Sequence, residues 1–168
     1  MKQMVAIGLV IGIVLLSGCL GTGPAPIDTS LSSKVGPTQI QTFSKANYEV
    51  CKENGKPVIR LFSTTWCPHC KWVKNAYEST VQEYINDGKI AAYKWEVDTG
   101  DNTLTGETEA SVPASELRIF KQFNQEESIP TFVFGCKYYR VGNGYESQNN
   151  LSAEIGEFKA VIEALLKE

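Results

Sequence analysis

Two cysteines separated by two residues are the groups in this chain best suited to chemistry. The segment Trp66-Cys67-Pro68-His69-Cys70 closely follows the apolar run Val58-Ile59-Arg60-Leu61-Phe62. If a strand ends near Ser63 and a helix begins at Cys67, the first sulfur lies at a helix N-terminus, where free N–H groups and the helix dipole favour an anion. The pattern therefore predicts a redox-active dithiol, in which Cys67 is the nucleophile and the better shielded Cys70 resolves the mixed disulfide.

The two residues between the cysteines are expected to tune this chemistry. Pro68 suits the first turn of a helix, because its φ is fixed and its missing N–H would have no partner there. His69 adds a donor, and a positive charge when protonated, beside the same sulfur. Both favour the thiolate, and a stabilised reduced form makes the disulfide more oxidising. The alternative for His69 is a solvated residue on the first helical turn with no tuning role.

The motif has a close counterpart in a known family. Trp-Cys-X-X-Cys after an apolar strand resembles thioredoxin-fold oxidoreductases, and Cys-Pro-His-Cys is the form found in DsbA-like oxidases. A second motif, Ile129-Pro130-Thr131 before Phe132-Val133-Phe134, resembles the cis-proline loop of that family and the strand after it. The resemblance spans residues 40–168 and implies an α/β thioredoxin-like fold, with a central mixed sheet flanked by helices. The catalytic residues it implies are Cys67, Cys70, His69 and Pro130.

The resemblance also implies how a substrate is bound. In the family the cis-proline packs against the dithiol and helps to bind the substrate backbone, so residues beside the two motifs are expected to contact substrate. These residues are Trp66, Pro68, Ile129 and Thr131. Neither a dissociable cofactor nor a metal is expected, because the Cys67–Cys70 disulfide itself carries the electrons.

Other interpretations of the two cysteines are half of a zinc site or two ordinary buried thiols. Zinc needs about four ligands, whereas His69 is the only histidine and a further Cys-X-X-Cys is absent. A module that binds a soft ion such as Cu(I) through the same sulfurs is the remaining alternative.

The N-terminus has the pattern of an export signal. Lys2 precedes the uncharged apolar stretch 4–16, whose length is typical of a signal peptide and short for a bilayer span. Leu16-Ser17-Gly18-Cys19 resembles the lipobox of prokaryotic lipoproteins, which implies cleavage after residues 1–18 and a lipid on Cys19. We therefore predict an extracytoplasmic, lipid-anchored protein at the cell surface or in the periplasm. A simple secretory signal or an uncleaved anchor is the alternative.

The rest of the chain reads as a tether and one domain. Residues 19–38 are rich in Ser, Thr, Gly and Pro, which predicts a flexible tether, and residues 39–168 form the thioredoxin-like domain. A net charge of −3 and a pI near 5.3 argue against a nucleic-acid partner, which would need a basic face. The expected partners are exported protein thiols or disulfides, a membrane or soluble redox partner, and the membrane through the lipid.

Two further cysteines remain in the domain. Cys51 lies just before the strand that leads to the dithiol, and Cys136 lies just after the strand that leads away from Pro130. Both should therefore lie at the end of the sheet opposite the dithiol. A structural Cys51–Cys136 disulfide is feasible if the Cα atoms come within about 7 Å. Two reduced, buried thiols are the alternative.

Periodicity and turn residues predict the remaining elements. Helices are expected over 43–54, from the dithiol to Gly88, over 115–123, and after a Ser152 cap; strands are expected over 58–63, 89–98, 131–134 and 137–141. The polar stretch 99–113 departs from a minimal thioredoxin and is an insertion before the helix that leads to the cis-proline. It either flanks the site and shapes partner choice or is a solvated insertion without a role.

A second departure from the family concerns proton transfer. Six residues before the first cysteine, thioredoxin-like proteins often carry a buried acid that shuttles a proton to the resolving cysteine, and here that residue is Leu61. Glu96 and Asp98 are the substitutes that the sequence offers. The function predicted is an extracytoplasmic, membrane-anchored thiol–disulfide oxidoreductase that leans towards oxidation. The alternatives are a reductase for exported thiols such as apocytochromes and a soft-metal module.

Overall fold

A computed structural model describes residues 39–168, so the predicted signal peptide 1–18, the predicted lipid site Cys19 and the tether 19–38 lie outside the described residues. The strands are β1 (Ser44–Lys45), β2 (Lys52–Glu53), β3 (Lys56–Ser63), β4 (Ala91–Glu96), β5 (Asp101–Asn102), β6 (Thr131–Phe134) and β7 (Tyr138–Val141). The helices are α1 (Pro68–Asn86), α2 (Ala114–Phe123) and α3 (Leu151–Leu165), with a 3-10 turn at Glu146–Gln148. None of the helices within 39–168 has the length and hydropathy needed to cross a bilayer.

The sheet is mixed, and β3 lies at its centre. β3 and β4 are parallel and joined by α1, which makes a βαβ unit, while β6 is antiparallel to β3 and β7 is antiparallel to β6. β1 extends the sheet beyond β7, and β5 extends it beyond β4. The predicted α/β fold, a mixed sheet flanked by helices, is confirmed.

The two faces of the sheet are covered by different helices because side chains alternate along each strand. Ile59 and Leu61 of β3 face the cluster that contains residues of α1 and α3, whereas Phe62 faces the cluster that contains Phe120 of α2. All three β3 side chains are fully buried. Burial of each such side chain stabilises the fold by roughly 1.5–3 kcal/mol, so the central strand is held firmly from both sides.

The predicted helix over 43–54 is wrong. This segment is extended: β1 pairs with β7, and β2 forms a hairpin with the start of β3. Asn54 and Gly55 have φ of 50° and 79°, the left-handed values that a two-residue hairpin turn requires, so Gly55 closes a turn and does not end a helix. The predicted cap of the last helix is also wrong, because the side chain of Asn150, not Ser152, accepts a hydrogen bond from the N–H of Ala153.

The remaining two cysteines lie at the end of the sheet opposite the dithiol. Gly135, Cys136 and Lys137 form the turn between β6 and β7, and the first two have φ of 61° and 54°. The Sγ atoms of Cys51 and Cys136 are 2.07 Å apart, and their Cα atoms are 5.5 Å apart, which is a disulfide. The N–H of Cys51 also donates to the carbonyl of Gly135. The N-terminal segment is therefore joined covalently to the β6–β7 hairpin.

Candidate functional site

The first cysteine of the motif is the N-cap of α1. Cys67 has an extended backbone, with φ −70° and ψ 122°, and its Sγ accepts a hydrogen bond from the N–H of Cys70 at 3.3 Å. Pro68 occupies the first helical position, where its missing N–H leaves no bond unmade. The N–H of Cys70 in this first turn therefore faces the sulfur of Cys67, and together with the helix dipole it would stabilise negative charge there.

The second cysteine is in a different environment. The predicted difference in shielding is not found, because both cysteines are free thiols that expose 3% of their surface; what distinguishes Cys70 is its pKa. Burial, a side-chain hydrogen bond with Cys67 and the negative charge of Glu96 raise the pKa of Cys70 to about 12. At neutral pH Cys70 is therefore a protonated thiol, and it must lose its proton before it can attack a disulfide.

The sheet brings the second motif to the same end as the dithiol. Thr131 pairs with Phe62 near the end of β3, so the preceding Pro130 lies at the end of the sheet from which the chain continues to Cys67. The Ile129–Pro130 peptide bond is cis, and Pro130 is buried. The two motifs, separated by about sixty residues of sequence, therefore lie at the same end of the sheet.

The predicted substrate-binding residues divide into exposed and buried ones. Trp66 exposes 67% of its surface, and Pro68 is also exposed, so both offer apolar surface beside Cys67. Ile129 is half-buried against the α2 cluster. Thr131 is fully buried, and its hydroxyl donates to the carbonyl of Ser128 at 2.6 Å. The Thr131 side chain thus shapes the cis-proline loop from inside.

His69 has a charged partner that the sequence did not reveal. Its Nδ1 lies 2.9 Å from the carboxylate of Glu146, and the amide of Asn143 donates both to that carboxylate and to the carbonyl of His69. The side chain of Trp72 also bonds to this loop through Asn149. A positive charge on His69 is therefore balanced by Glu146, which reduces its effect on the neighbouring sulfur.

A buried ion cluster fixes the loop that carries Glu146. Arg140 of β7 pairs with Glu154 and with Glu157 of α3, and all three side chains are buried. The carboxylate of Glu154 also accepts the N–H groups of Gly144 and Tyr145 at 3.0 Å. The loop after β7 is thereby held at the start of α3, and through Glu146 it reaches the start of α1.

A cavity of about 470 Å³ adjoins Cys70. Its lining comes from the motif, from α1, from β4 and from the predicted insertion, whose residues 99–113 pack along the edge of the sheet as β5 and the loop around it. The insertion contributes Thr99, Asp101, Thr103 and Thr108. The insertion therefore lies beside the resolving cysteine.

Two buried charges of β4 line the same cavity. Lys94 exposes 1% of its surface and Glu96 exposes 7%. The ammonium group of Lys94 donates to Oε1 of Glu96 and to the hydroxyl of Thr103, while Oε2 of Glu96 is buried without a hydrogen-bond partner. The position of Lys94 between the aromatic residues Tyr93 and Trp95 is the feature of the sequence that could have indicated a buried lysine with a charged partner. Within residues 39–168, no group of three or more His, Cys, Asp or Glu side chains is arranged to hold a metal ion.

Comparison with known proteins places these features in a family. The family model described as a thioredoxin-like domain matches residues 44–159. Protein disulfide-isomerase 1 of Dictyostelium discoideum is 29% identical over 113 residues, which cover 62% of this chain and 31% of that protein. A protein disulfide-isomerase of Alternaria alternata is 28% identical over 138 residues, which cover 78% of this chain and 31% of that protein. The chain thus spans about a third of the length of these curated relatives.

Proposed function

The chain belongs to the family of thioredoxin-like domains, and from this premise we propose that it catalyses thiol–disulfide exchange with protein substrates through Cys67 and Cys70. One observation carries the proposal: Cys67 caps α1, with its sulfur bonded to the N–H of Cys70, at the end of the sheet that also holds the cis Pro130. The relatives named as disulfide isomerases support the same chemistry.

The proposed reaction conserves atoms and electrons. In the oxidative direction, a substrate thiolate attacks Sγ of Cys67 in the Cys67–Cys70 disulfide. This attack forms a mixed disulfide and releases Cys70 as a thiolate, and Cys70 then takes a proton. A second substrate thiolate attacks the substrate sulfur of the mixed disulfide and releases Cys67 as a thiolate. The substrate loses two electrons and two protons to form a disulfide, and the enzyme becomes a dithiol. Reduction of a substrate follows the same steps in reverse.

We propose that oxidation of exported thiols is the main direction, because Pro68 and a positive charge on His69 both favour the reduced enzyme. A specific contact favours the alternative, a reductase for exported thiols such as apocytochromes: Glu146 neutralises His69 and so weakens the oxidising tendency. The reduction potential distinguishes the two directions. Strong oxidases have reduction potentials of about −120 mV, and strong reductases have reduction potentials of about −270 mV.

We further propose that the domain works outside the cytoplasm, tethered by a lipid on Cys19. The apolar stretch that ends at Leu16-Ser17-Gly18-Cys19 supports this proposal. The Cys51–Cys136 disulfide is consistent with it, because such bonds persist in oxidising compartments. Incorporation of radiolabelled fatty acid by the full-length protein, lost in the Cys19→Ser variant, tests the anchor.

Three cysteine variants test the activity with a reduced, unfolded protein as substrate. Cys67→Ser should abolish disulfide transfer, because it removes the attacking sulfur. Cys70→Ser, mixed instead with a substrate protein that contains a disulfide, should accumulate a mixed disulfide that is visible on a non-reducing gel, because Cys67 attacks the substrate disulfide and nothing resolves the product. The matched control is the Cys51→Ser, Cys136→Ser double variant, which removes the other two sulfurs and should keep the activity at temperatures where circular dichroism shows that it is folded. Full activity of Cys67→Ser would refute the proposed function.

A further inference from the structure

The resolving step needs a base that the motif itself does not supply. Cys70 attacks the mixed disulfide only as a thiolate, and in the reduced protein burial and the neighbouring Cys67 raise the pKa of Cys70 to about 12, so that Cys70 is a protonated thiol at neutral pH. Leu61, which occupies the position of the buried acid of related proteins, is a fully buried member of the apolar cluster. A base for Cys70 must therefore come from another side chain that faces the same space.

The charged groups around the cavity beside Cys70 narrow the choice. The lining includes Lys71 and Lys74 from α1, Lys94 and Glu96 from β4, and Asp101 from β5, while Glu78 of α1 lies 3.6 Å from the ammonium group of Lys94. Of the two carboxylates in the lining, Asp101 is half-buried and already accepts the N–H of Glu109. Glu96 is buried, and its Oε2 has no partner. Glu96 is thus the carboxylate with a free acceptor.

Asp98, the other substitute that the sequence offered, does not fit the role. Its side chain is exposed, and its carboxylate accepts both the N–H and the hydroxyl of Thr65, at 3.2 Å and 2.5 Å. It is absent from the lining of the cavity. Asp98 therefore holds the turn before Trp66 and is not directed at Cys70.

We propose that Glu96 accepts the proton of Cys70 across this cavity when Cys70 resolves the mixed disulfide, and returns it in the reverse step; this inference rests on the proposed function. The Cys70 S–H bond breaks as the Cys70–Cys67 bond forms, and the bond from Cys67 to the substrate sulfur breaks. The substrate leaves as a thiolate, and the proton stays on Glu96 until solvent takes it. A cavity of 470 Å³ far exceeds the roughly 30 Å³ that one water occupies, so water can bridge the two groups.

Lys94 explains how a carboxylate can remain charged at this depth. A buried acid without a counter-charge would be neutral and could not act as a base. The ammonium group of Lys94 supplies that charge at Oε1 and is itself held by Thr103 of the insertion. One oxygen of Glu96 is therefore used for the ion pair, and the other is left for the proton.

Stopped-flow mixing of the reduced, full-length protein with the chromogenic disulfide dithiobisnitrobenzoate separates the two steps. Attack by Cys67 releases the first coloured thiolate, and resolution by Cys70 releases the second. Glu96→Gln should leave the first phase unchanged and slow the second by at least about tenfold at neutral pH, since positioned bases contribute about 10²–10⁴-fold. The second phase of the variant should then rise about tenfold per pH unit, following hydroxide. Glu96→Asp should restore part of the rate.

Three further variants distinguish proton transfer from packing. Glu78→Gln removes a carboxylate that lies near Lys94 but outside the lining of the cavity, and Asp98→Asn removes the other candidate for the proton acceptor. Both variants should keep a fast second phase. The double variant Lys94→Met, Glu96→Gln leaves no unpaired buried charge, and it should show the slow second phase even if Glu96→Gln alone folds poorly.

An unchanged second phase in Glu96→Gln, equal slowing of both phases, or equal slowing of the second phase in Glu78→Gln would overturn the assignment of Glu96. Release of only one equivalent by the wild type would instead refute the proposed function, because Cys70 would not be resolving the mixed disulfide at all.

Discussion

The Cys51–Cys136 disulfide should account for much of the stability of the fold. It closes a loop between residues 85 apart in sequence, and the chain-entropy relation gives about 4.5 kcal/mol at 25 °C for a loop of that length. Residual structure in the unfolded chain reduces such values, so we expect the free energy of unfolding to fall by about 3–4.5 kcal/mol when the bond is reduced.

The measurement is best made in a Cys67→Ser, Cys70→Ser background, where this bond is the sole disulfide within the domain. Urea unfolding of one protein, with and without reductant, then gives the contribution of the bond without changing Cys51 or Cys136. The matched control replaces both with serine, whose hydroxyl retains an acceptor for Arg60, which lies 3.4 Å from the Cys51 sulfur. The control should resemble the reduced protein and should not respond to reductant. A difference below about 1 kcal/mol between the oxidised and reduced forms would refute the entropic reasoning.

Three other predictions concern the site. Glu146→Gln should make the dithiol more oxidising by up to about 20 mV, because an exposed ion pair contributes at most about 1 kcal/mol and about 30 mV corresponds to 1.4 kcal/mol. The reduction potential is measured by equilibration with glutathione. A shift towards a more reducing potential would contradict the role given to the pair of Glu146 with His69. Between pH 7 and 9 iodoacetamide should modify Cys67 in the reduced protein and leave Cys70 unmodified, as read by mass spectrometry of peptides, because a pKa raised to about 12 means that the Cys70 thiolate forms only as the pH approaches that value. Rapid alkylation of Cys70 at pH 8 in the folded protein would contradict this order. Deleting residues 100–110 should lower kcat/KM for a protein substrate several-fold and slow resolution of the mixed disulfide, since the deletion opens the cavity to solvent; unchanged kinetics would leave the insertion without a role.

The sequence predicted correctly those helices and strands whose boundaries depend on neighbouring residues. The start of α1 at Pro68 is specified by a proline after an apolar strand, and the β6 strand by the run after Pro130. The helix prediction for 43–54 was wrong because distant partners decide the conformation of this segment. β1 is extended because it pairs with β7 at the end of the sheet. The Asn54-Gly55 turn was nevertheless visible in the sequence, as the dipeptide most typical of a two-residue hairpin.

The charged part of the site could not be predicted in the same way. His69 and Glu146 lie 77 residues apart in sequence, and no local periodicity connects them. Lys94 and Glu96 are two residues apart and so lie on the same face of β4, but their burial depends on the insertion that covers that edge of the sheet. Sequence patterns thus identified the two sulfurs, His69 and Glu96, whereas the ionic partners of the last two, Glu146 and Lys94, were found only from the fold.

The separation of the two cysteine pairs has a consequence for fidelity. Cys51 accepts the N–H of Val58, and five further residues of β3 lead from Val58 to Ser63 on the dithiol side, which is roughly 17 Å at the strand rise of about 3.3 Å per residue. Within one folded molecule a sulfur from either pair cannot reach the other. Each catalytic turnover should therefore leave the distal crosslink untouched, and the enzyme can cycle between its redox states without scrambling its own covalent framework.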